Sequence, residues 1–390
     1  MKDDTIAVVA GRHPHAHYGA VNTPVYRAST IVFKTFAEFE AAADEPAEFR
    51  FAYGRLGTPT SASLEEAVAR LEGGAHCRLA PSGLAAITTA LTAFLAAGDH
   101  LLLTAGAYGP TIRFCESILK KFGVETTLYD PLIGADIARM IRPNTRVVYV
   151  ESPSSGLFEV QDVAAIARAA HERGALVLMD NTWASPLFFK PFEHGVDVSI
   201  QAATKYIVGH SDAMLGTITC TEPLWHALRK AHRELGQMAG PDDIYLASRG
   251  IRTLAVRLAA HQRNGLALAR FLRTQPEVES VLHPALEDAP GHALWKRDFL
   301  GASGLFAFSF KPGVTRQALA AMLDGLRFFA MGYSWGGFES LAAPFRISRY
   351  RPGTPESEDR WCIRIHAGLE NPEDLIADLE AGFSRLRAAS

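Results

Sequence analysis

Residues 175–205 read ALVLMDNTWASPLFFKPFEHGVDVSIQAATK. Two apolar runs, ALVLMD and VDVSIQAAT, have the length and texture of strands buried on both faces, as in a parallel sheet covered by helices. The first ends at Asp180 and the second at Thr204 and Lys205. Aspartate and lysine are seldom buried, because taking a bare charge out of water is costly. In a parallel sheet both side chains are offered at the carboxyl edge, where α/β sheets bind their ligands. An exposed lysine at a strand end is the ordinary alternative. A lysine held neutral, or consumed in a covalent bond, is the sharper one.

The same alternation extends in both directions. SASLEEAVARLE has apolar positions at helical spacing, with a serine as its expected N-cap. SGLAAITTALTAFLAAG is a second expected helix, ending at a glycine, and HLLLT a short strand. PTIRFCESILKKFG reads as a helix closed by Gly123, followed by the strands VETTLY and TRVVYVE. VQDVAAIARAAHERG is an amphipathic helix leading into ALVLMD. Strands separated by helices of this length predict an α/β fold with a mostly parallel sheet, here a large domain over 56–250. Beyond Gly250 the texture changes. A long helical stretch, IRTLAVRLAAHQRNGLALARFLRTQ, precedes Pro- and Gly-punctuated strands such as LFAFSF and CIRIHAG, then a last helix in NPEDLIADLEAGFSRLRAA. This predicts a smaller α+β domain over 251–390. Residues 1–55 lack strong periodicity and are expected to form an extended arm that contacts a neighbouring subunit.

Bulk properties narrow the function. A chain of 390 residues that is 48% hydrophobic can bury a large core. Its formal net charge of −3 gives no basic excess for nucleic acid. Cys77, Cys115, Cys220 and Cys362 are scattered, without a C-x-x-C pair, which suits a reducing cytoplasm. No apolar run is long enough to span a membrane, and the polar start MKDDTIAVVAGRH is no signal peptide.

An acid and a lysine at one sheet edge fit a pyridoxal phosphate site. The lysine forms the Schiff base and the aspartate pairs with the protonated pyridine nitrogen. By spacing alone, two unrelated strand-end residues are the commoner case. Ser82 and Gly83 open a helix whose free N–H groups favour a phosphate, although a simple cap looks the same. Tyr108 follows the HLLLT strand, where an aromatic stacks on a planar ligand or merely packs. Tyr53 and Arg55 offer a phenol and a guanidinium beside glycines, suited to phosphate. Arg364, in an apolar strand, needs an anion, either a substrate carboxylate or a structural partner. His13, His15 and His17 lack an accompanying ligand set, so no metal is expected. His210-Ser211-Asp212 are adjacent and cannot form a triad, and GYSWGG lacks the G-K-[ST] of a P-loop.

With these residues assembled, the chain resembles the Cys/Met-metabolism family of pyridoxal-phosphate enzymes. The matching pieces are YGRLGTPT, PSGLAAI, AYGPT, ESPSS, DNTWASP, QAATKY followed by VGHSD, SWGGFESL and RIHAGLEN, in order over nearly the whole chain. The resemblance implies a type I, aspartate aminotransferase-like fold. It makes Lys205 the Schiff-base lysine, Asp180 the pyridinium partner and Tyr108 the ring-stacking residue. Ser82, Gly83, Leu84 and Thr204 then bind the phosphate, joined by Tyr53 and Arg55 from a neighbouring subunit. Arg364 takes the substrate α-carboxylate, with Ser334, Trp335 and Tyr333 nearby, and Tyr53 and Tyr108 also face the substrate.

Departures from the family pattern point to one branch. Ala202 stands where many members carry serine, and Ser155 where many carry asparagine. Members that work at the γ-carbon typically have glutamate where this chain has Tyr333, and leucine where it has Trp335. These changes favour the β-lyase branch. Its activity, as the resemblance implies, is pyridoxal-phosphate-dependent cleavage of L-cystathionine or related cysteine S-conjugates to a thiol such as homocysteine, pyruvate and ammonia. Lys205, released as a neutral amine, removes the α-proton. A γ-elimination or γ-replacement enzyme of the same family is the alternative, and a non-catalytic scaffold protein the second. A cytoplasmic homotetramer with sites shared between subunits is expected, with no nucleic-acid or membrane partner. Arg233 sits where the pocket mouth is expected, and distal-group specificity stays open.

Overall fold

The computed structural model describes residues 1–44, 51–351 and 353–389. Eleven named strands lie among them: β1 His76–Ala80, β2 His100–Thr104, β3 Glu125–Tyr129, β4 Thr145–Glu151, β5 Leu176–Asp180, β6 Val198–Gln201, β7 Gly216–Cys220, β8 Val278–Leu282, β9 Leu305–Phe310, β10 Leu341–Arg346 and β11 Trp361–His366. The first seven form one sheet in the order β1-β7-β6-β5-β4-β2-β3. β3, β2, β4, β5 and β6 run parallel, whereas β7 is antiparallel to both its neighbours. The sheet is thus mostly parallel, as expected. β1 (HCRLA) and β7 (GTITC) were not apparent from sequence; each is only five residues long and mixes polar with apolar side chains.

Alternation along the strands explains why both faces are covered. Leu101, Leu103, Val147, Tyr149, Leu178 and Ile200 share one cluster with the helix Gly83–Phe94. Leu102, Val148, Val150, Val177 and Met179 share another with the helix Val163–His171. Asp162 caps the latter, its carboxylate accepting from Ala165 N at 3.1 Å. The expected serine cap of SASLEEAVARLE is corrected. That helix starts earlier, at Pro59 after Thr58, and Ser61 lies in its first turn, where Oγ accepts from Thr58 N at 2.9 Å. A proline at the first helical position is pre-organised for this start. The helix Gly83–Phe94 also stops short of the expected glycine, because Leu95 adopts extended backbone.

The remaining four strands form an antiparallel sheet in the order β10-β11-β9-β8. The helices Arg316–Asp324 and Pro372–Ala388 pack on one face around Phe306, Phe308, Ile363, Ile365 and Phe383. The other face carries Ala307, Cys362 and Phe345 into the cluster of the large sheet. Trp183, three residues past the end of β5, donates from Nε1 to the Leu305 carbonyl at 2.8 Å. The loop after Asp180 is therefore tied to the second sheet.

Near the N-terminus, Asp3–Val9 is a helix and Phe36–Asp44 another. Neither was expected within the irregular stretch 1–55, of which 45–50 fall outside the described residues. The first helix packs Ala7 against the chain's own core, and Arg252 Nη1 donates to the carbonyls of Ala7 and Ala10, each at 2.8 Å.

A buried arginine braces the turn that follows Lys205. Arg257 Nη1 donates to Tyr206 O at 2.8 Å, Nη2 to Gly250 O at 2.7 Å and Nε to Thr253 Oγ1 at 3.0 Å. Its exposure is 6%, and burial lowers its pKa to about 10. No carboxylate pairs with it among the described residues, so the carbonyl ends of two chain turns carry the compensation. Replacing Arg257 by leucine strands those carbonyls. The expected loss is about 2–4 kcal/mol of unfolding free energy, measured by urea titration. A change under about 0.5 kcal/mol would contradict this role.

Candidate active site

Asp180 and Lys205 meet at the carboxyl edge of the large sheet. β5 and β6 pair Asp180 with Ile200, and the chain then turns through Ala202 to Lys205. Asp180 is buried. Its Oδ1 accepts from Thr182 N at 3.0 Å and from the Thr182 hydroxyl. Oδ2 meets no donor among the described residues. Burial raises the pKa of Asp180, while the two Thr182 bonds and the nearby Lys205 lower it. Thr182 Oγ1 also accepts from Ala202 N at 2.9 Å, so one threonine joins the two strand ends.

Lys205 Nζ donates to Ser334 Oγ at 2.7 Å and lies 5.3 Å from the centroid of the Trp335 ring. Burial lowers its pKa to about 8; Arg364 adds to the effect and Asp180 opposes it. Trp335 packs against both the cluster of the large sheet and the one around the helix Pro59–Glu72. Arg364, in the middle of β11, donates from Nη2 to Ser334 O at 2.9 Å and to Gly332 O at 3.3 Å. Burial lowers its pKa. No carboxylate answers it among the described residues, so the structural salt bridge considered for it is absent there.

Tyr108 stands at the start of the short helix Gly109–Phe114 and is 45% exposed, available on one side. Burial raises its pKa, and Asp180 and Glu151 raise it further. Its backbone N donates to Glu151 Oε2 at 2.7 Å, and Ser155 Oγ donates to Glu151 Oε1 at 2.6 Å. Glu151 was missed as a site residue. It ends β4 directly beside Asp180 in the parallel register, and burial with the neighbouring aspartate raises its pKa far above the carboxylate range. Each buried carboxylate disfavours ionisation of the other. The signal was present in ESPSS, a glutamate closing an apolar strand.

Ser82 caps the helix Gly83–Phe94, with Oγ accepting from Ala85 N at 3.1 Å. A Cβ on Gly83 would lie 2.5 Å from the Ala202 Cβ. Only glycine lets this helix start approach the turn that carries Lys205. Leu84 is 38% exposed in the same first turn. Thr204 Oγ1 is engaged with Leu215, accepting from its N at 2.9 Å and donating to its carbonyl at 3.1 Å. Tyr333 is 86% exposed at the rim. Tyr53 and Arg55 sit elsewhere within this chain. Arg55 Nη1 donates to the Arg233 carbonyl at 2.8 Å, beside a cavity of about 360 Å³ lined by Tyr26, Arg27, His232 and Met238 among others. None of Lys205, Asp180, Tyr108 or Arg364 lines that cavity.

This donor set fits pyridoxal phosphate. An acid oxygen without a protein donor suits a ring N–H, an amine whose pKa is lowered to about 8 suits an aldehyde carbon, and a helix start cleared by glycine suits a phosphate. A family model described as Cys/Met metabolism PLP-dependent enzyme matches residues 4–384. Cystathionine beta-lyase MetC of Escherichia coli (strain K12) is 47% identical over 390 residues, covering 99% of each chain. A cystathionine beta-lyase of Haemophilus influenzae is 43% identical over 387 residues, covering 98% of each. Among solved structures, cystathionine gamma synthase from Xanthomonas oryzae pv. oryzae in complex with aminoacrylate and cysteine matches with TM-score 0.91 and 34% identity, covering 100% of both chains.

The depressed pKa of Lys205 has a direct readout. In the unfolded chain the amine binds its proton up to about pH 10.4, so stability contributed through this group rises with pH between about 8 and that value. Trace acetylation of the cofactor-free protein should titrate Lys205 with a midpoint of about pH 8. A midpoint at the ordinary lysine value of about 10.4 would contradict the desolvated setting.

Proposed function

The chain belongs to the Cys/Met metabolism PLP-dependent enzyme family, and on that premise we propose that it is a carbon–sulfur β-lyase. Its substrate is L-cystathionine or a related cysteine S-conjugate, and its products are a thiol such as homocysteine, pyruvate and ammonia. The observation that carries this reading is the full-length identity of 47% to a cystathionine beta-lyase, against 34% to the gamma synthase. The loop Gly332–Gly337 agrees with it. It holds no carboxylate, and the next one along, Glu339, accepts the Ser211 hydroxyl at 2.6 and 2.8 Å. Elimination at the γ-carbon needs a second proton removal, from Cβ, and the exposed phenol of Tyr333 is a poor base near neutral pH.

Bound pyridoxal phosphate supplies an electrophilic carbon and a ring that accepts electrons from Cα. The free Oδ2 of Asp180 would hold the proton on the ring nitrogen, while Thr182 fixes the carboxylate's orientation. The first turn at Gly83 and Leu84, with Ser82 and Thr204, receives the phosphate. Tyr108 would flank the ring with its exposed side. Arg364 pairs with the substrate α-carboxylate, supported by its lack of a protein carboxylate and by the adjacent carbonyl of Ser334. Lys205 Nζ takes the proton from Cα and delivers it to the departing sulfur; a pKa of about 8 leaves the amine able to do both near neutrality. Tyr53 and Arg55 reach a neighbouring subunit's phosphate from the arm of residues 1–55, in a cytoplasmic homotetramer. Among the described residues no helix is long and apolar enough to cross a membrane.

With purified holoenzyme and L-cystathionine, the expected products are pyruvate and homocysteine, with 2-oxobutyrate minor. Oxo-acid identification by chromatography decides it. Mainly 2-oxobutyrate would overturn the β-lyase reading in favour of the γ-branch.

A further inference from the structure

The bond between Lys205 and Ser334 depends on a loop that must be held in place. Ser334 has φ +76°, a conformation that non-glycine residues rarely adopt. Gly336 has φ +89°, and a Cβ there would lie 2.9 Å from the Lys205 Cα and carbonyl carbon. The loop therefore rests directly on the Lys205 main chain. β11 presents two polar side chains to it. Arg364 takes the carbonyls of Gly332 and Ser334. Two residues on, His366 takes the other end: Gly336 N donates to its Nε2 at 3.0 Å, and its Nδ1 donates to the Glu339 carbonyl at 3.0 Å.

We propose that His366 is a positioning residue for the Lys205 amine. Its Nε2 lone pair holds the Gly336 amide, and with it the Ser334–Gly336 backbone, against Lys205, so that Ser334 Oγ meets Nζ. This rests on Lys205 being the reacting amine. The tautomer follows from the partners: a backbone amide only donates and a carbonyl only accepts, so the proton sits on Nδ1 and Nε2 is bare. The surroundings keep the ring neutral. His366 is 1% exposed, and its ring centroid lies 5.1 Å from that of His261 and 6.0 Å from that of Tyr206. His261 is itself fixed, with Nδ1 donating to Ala367 O at 2.8 Å. Burial, with His261, Arg364 and Lys205 close by, pushes the His366 pKa far down. Tyr206 completes this cluster of tilted rings, 5.4 Å from Trp335. A buried histidine that served packing alone would not need a bare nitrogen aimed at a loop amide.

Two variants of the holoenzyme separate the two bonds. His366→Gln can place an oxygen near the former Nε2 and keep the Gly336 acceptor. His366→Asn can place an N–H near the former Nδ1 and keep only the Glu339 donor. The expected result is kcat within about threefold of the parent for Gln, and a loss of about 10- to 100-fold, mainly in kcat, for Asn, with similar melting temperatures. The pH at which the absorbance of the bound cofactor changes should shift in Asn and not in Gln. That readout needs no substrate, so it separates failure of this proposal from failure of the β-lyase assignment. Equal behaviour of the two variants, or losses that track melting temperature, would overturn it. In the unmutated holoenzyme, the 15N signal of His366 should show a protonated Nδ1 and a bare Nε2; a protonated Nε2 would overturn it without any variant.

Discussion

A lysine amine taken out of water without a hydrogen-bonded carboxylate is the constraint on which the rest of this structure depends. Desolvation at Lys205 is offset only in part by Asp180, whose own carboxyl is held by Thr182 rather than by the amine. The amine's bond is to a hydroxyl, Ser334 Oγ, on a loop from the smaller half of the chain. That loop is anchored by Arg364 and His366 on β11, and the turn after Lys205 by Arg257. Arg257 and His366 are buried, Arg364 is half-buried, and all three donate to or accept from backbone atoms. Neutral partners leave the amine's proton exchangeable, where a hydrogen-bonded carboxylate would fix it as a cation.

Charge is distributed with equal care on the other side of the sheet edge. Glu151 and Asp180 end neighbouring parallel strands, both buried. Glu151 is satisfied by Tyr108 N and Ser155 Oγ and is pushed well towards its neutral form. Burial raises the pKa of Asp180 as well, but its Thr182 bonds and the nearby Lys205 oppose that rise, and one of its oxygens is free. A ring cation placed there completes the balance that the protein leaves open.

The strand end carrying Asp180 was legible because a continuous apolar run marks a buried strand, and a charged residue that stops it must sit at the strand's end; the run before Lys205 misled, since β6 ends at Gln201 and Lys205 lies four residues on, in a turn. The helix opened by Ser82 and Gly83 was legible from its cap. What was hidden depends on contacts between distant segments. Nothing in RIHAGLEN says that His366 meets Gly336, thirty positions away, or that Glu151 lies beside Asp180 rather than on another strand. β1 and β7 escaped because five-residue strands with polar members give no clear period. The helix Asp3–Val9 was missed because it buries one small alanine rather than an apolar stripe. The family resemblance supplied roles for Tyr53 and Arg55 that a single chain does not display, since Arg55 here meets its own Arg233 carbonyl.

The central claim is that the free oxygen of Asp180 and the desolvated amine of Lys205 work as a pair on one cofactor. The most direct test is Asp180→Asn, an isosteric change that removes the charge and can keep the Thr182 bonds while putting an N–H donor where the free oxygen stood. Cofactor occupancy, melting temperature and pyruvate release from L-cystathionine are measured on the same preparation. The account predicts a folded, cofactor-loaded protein whose turnover falls by about 10²-fold or more. Unchanged turnover at full occupancy would contradict it.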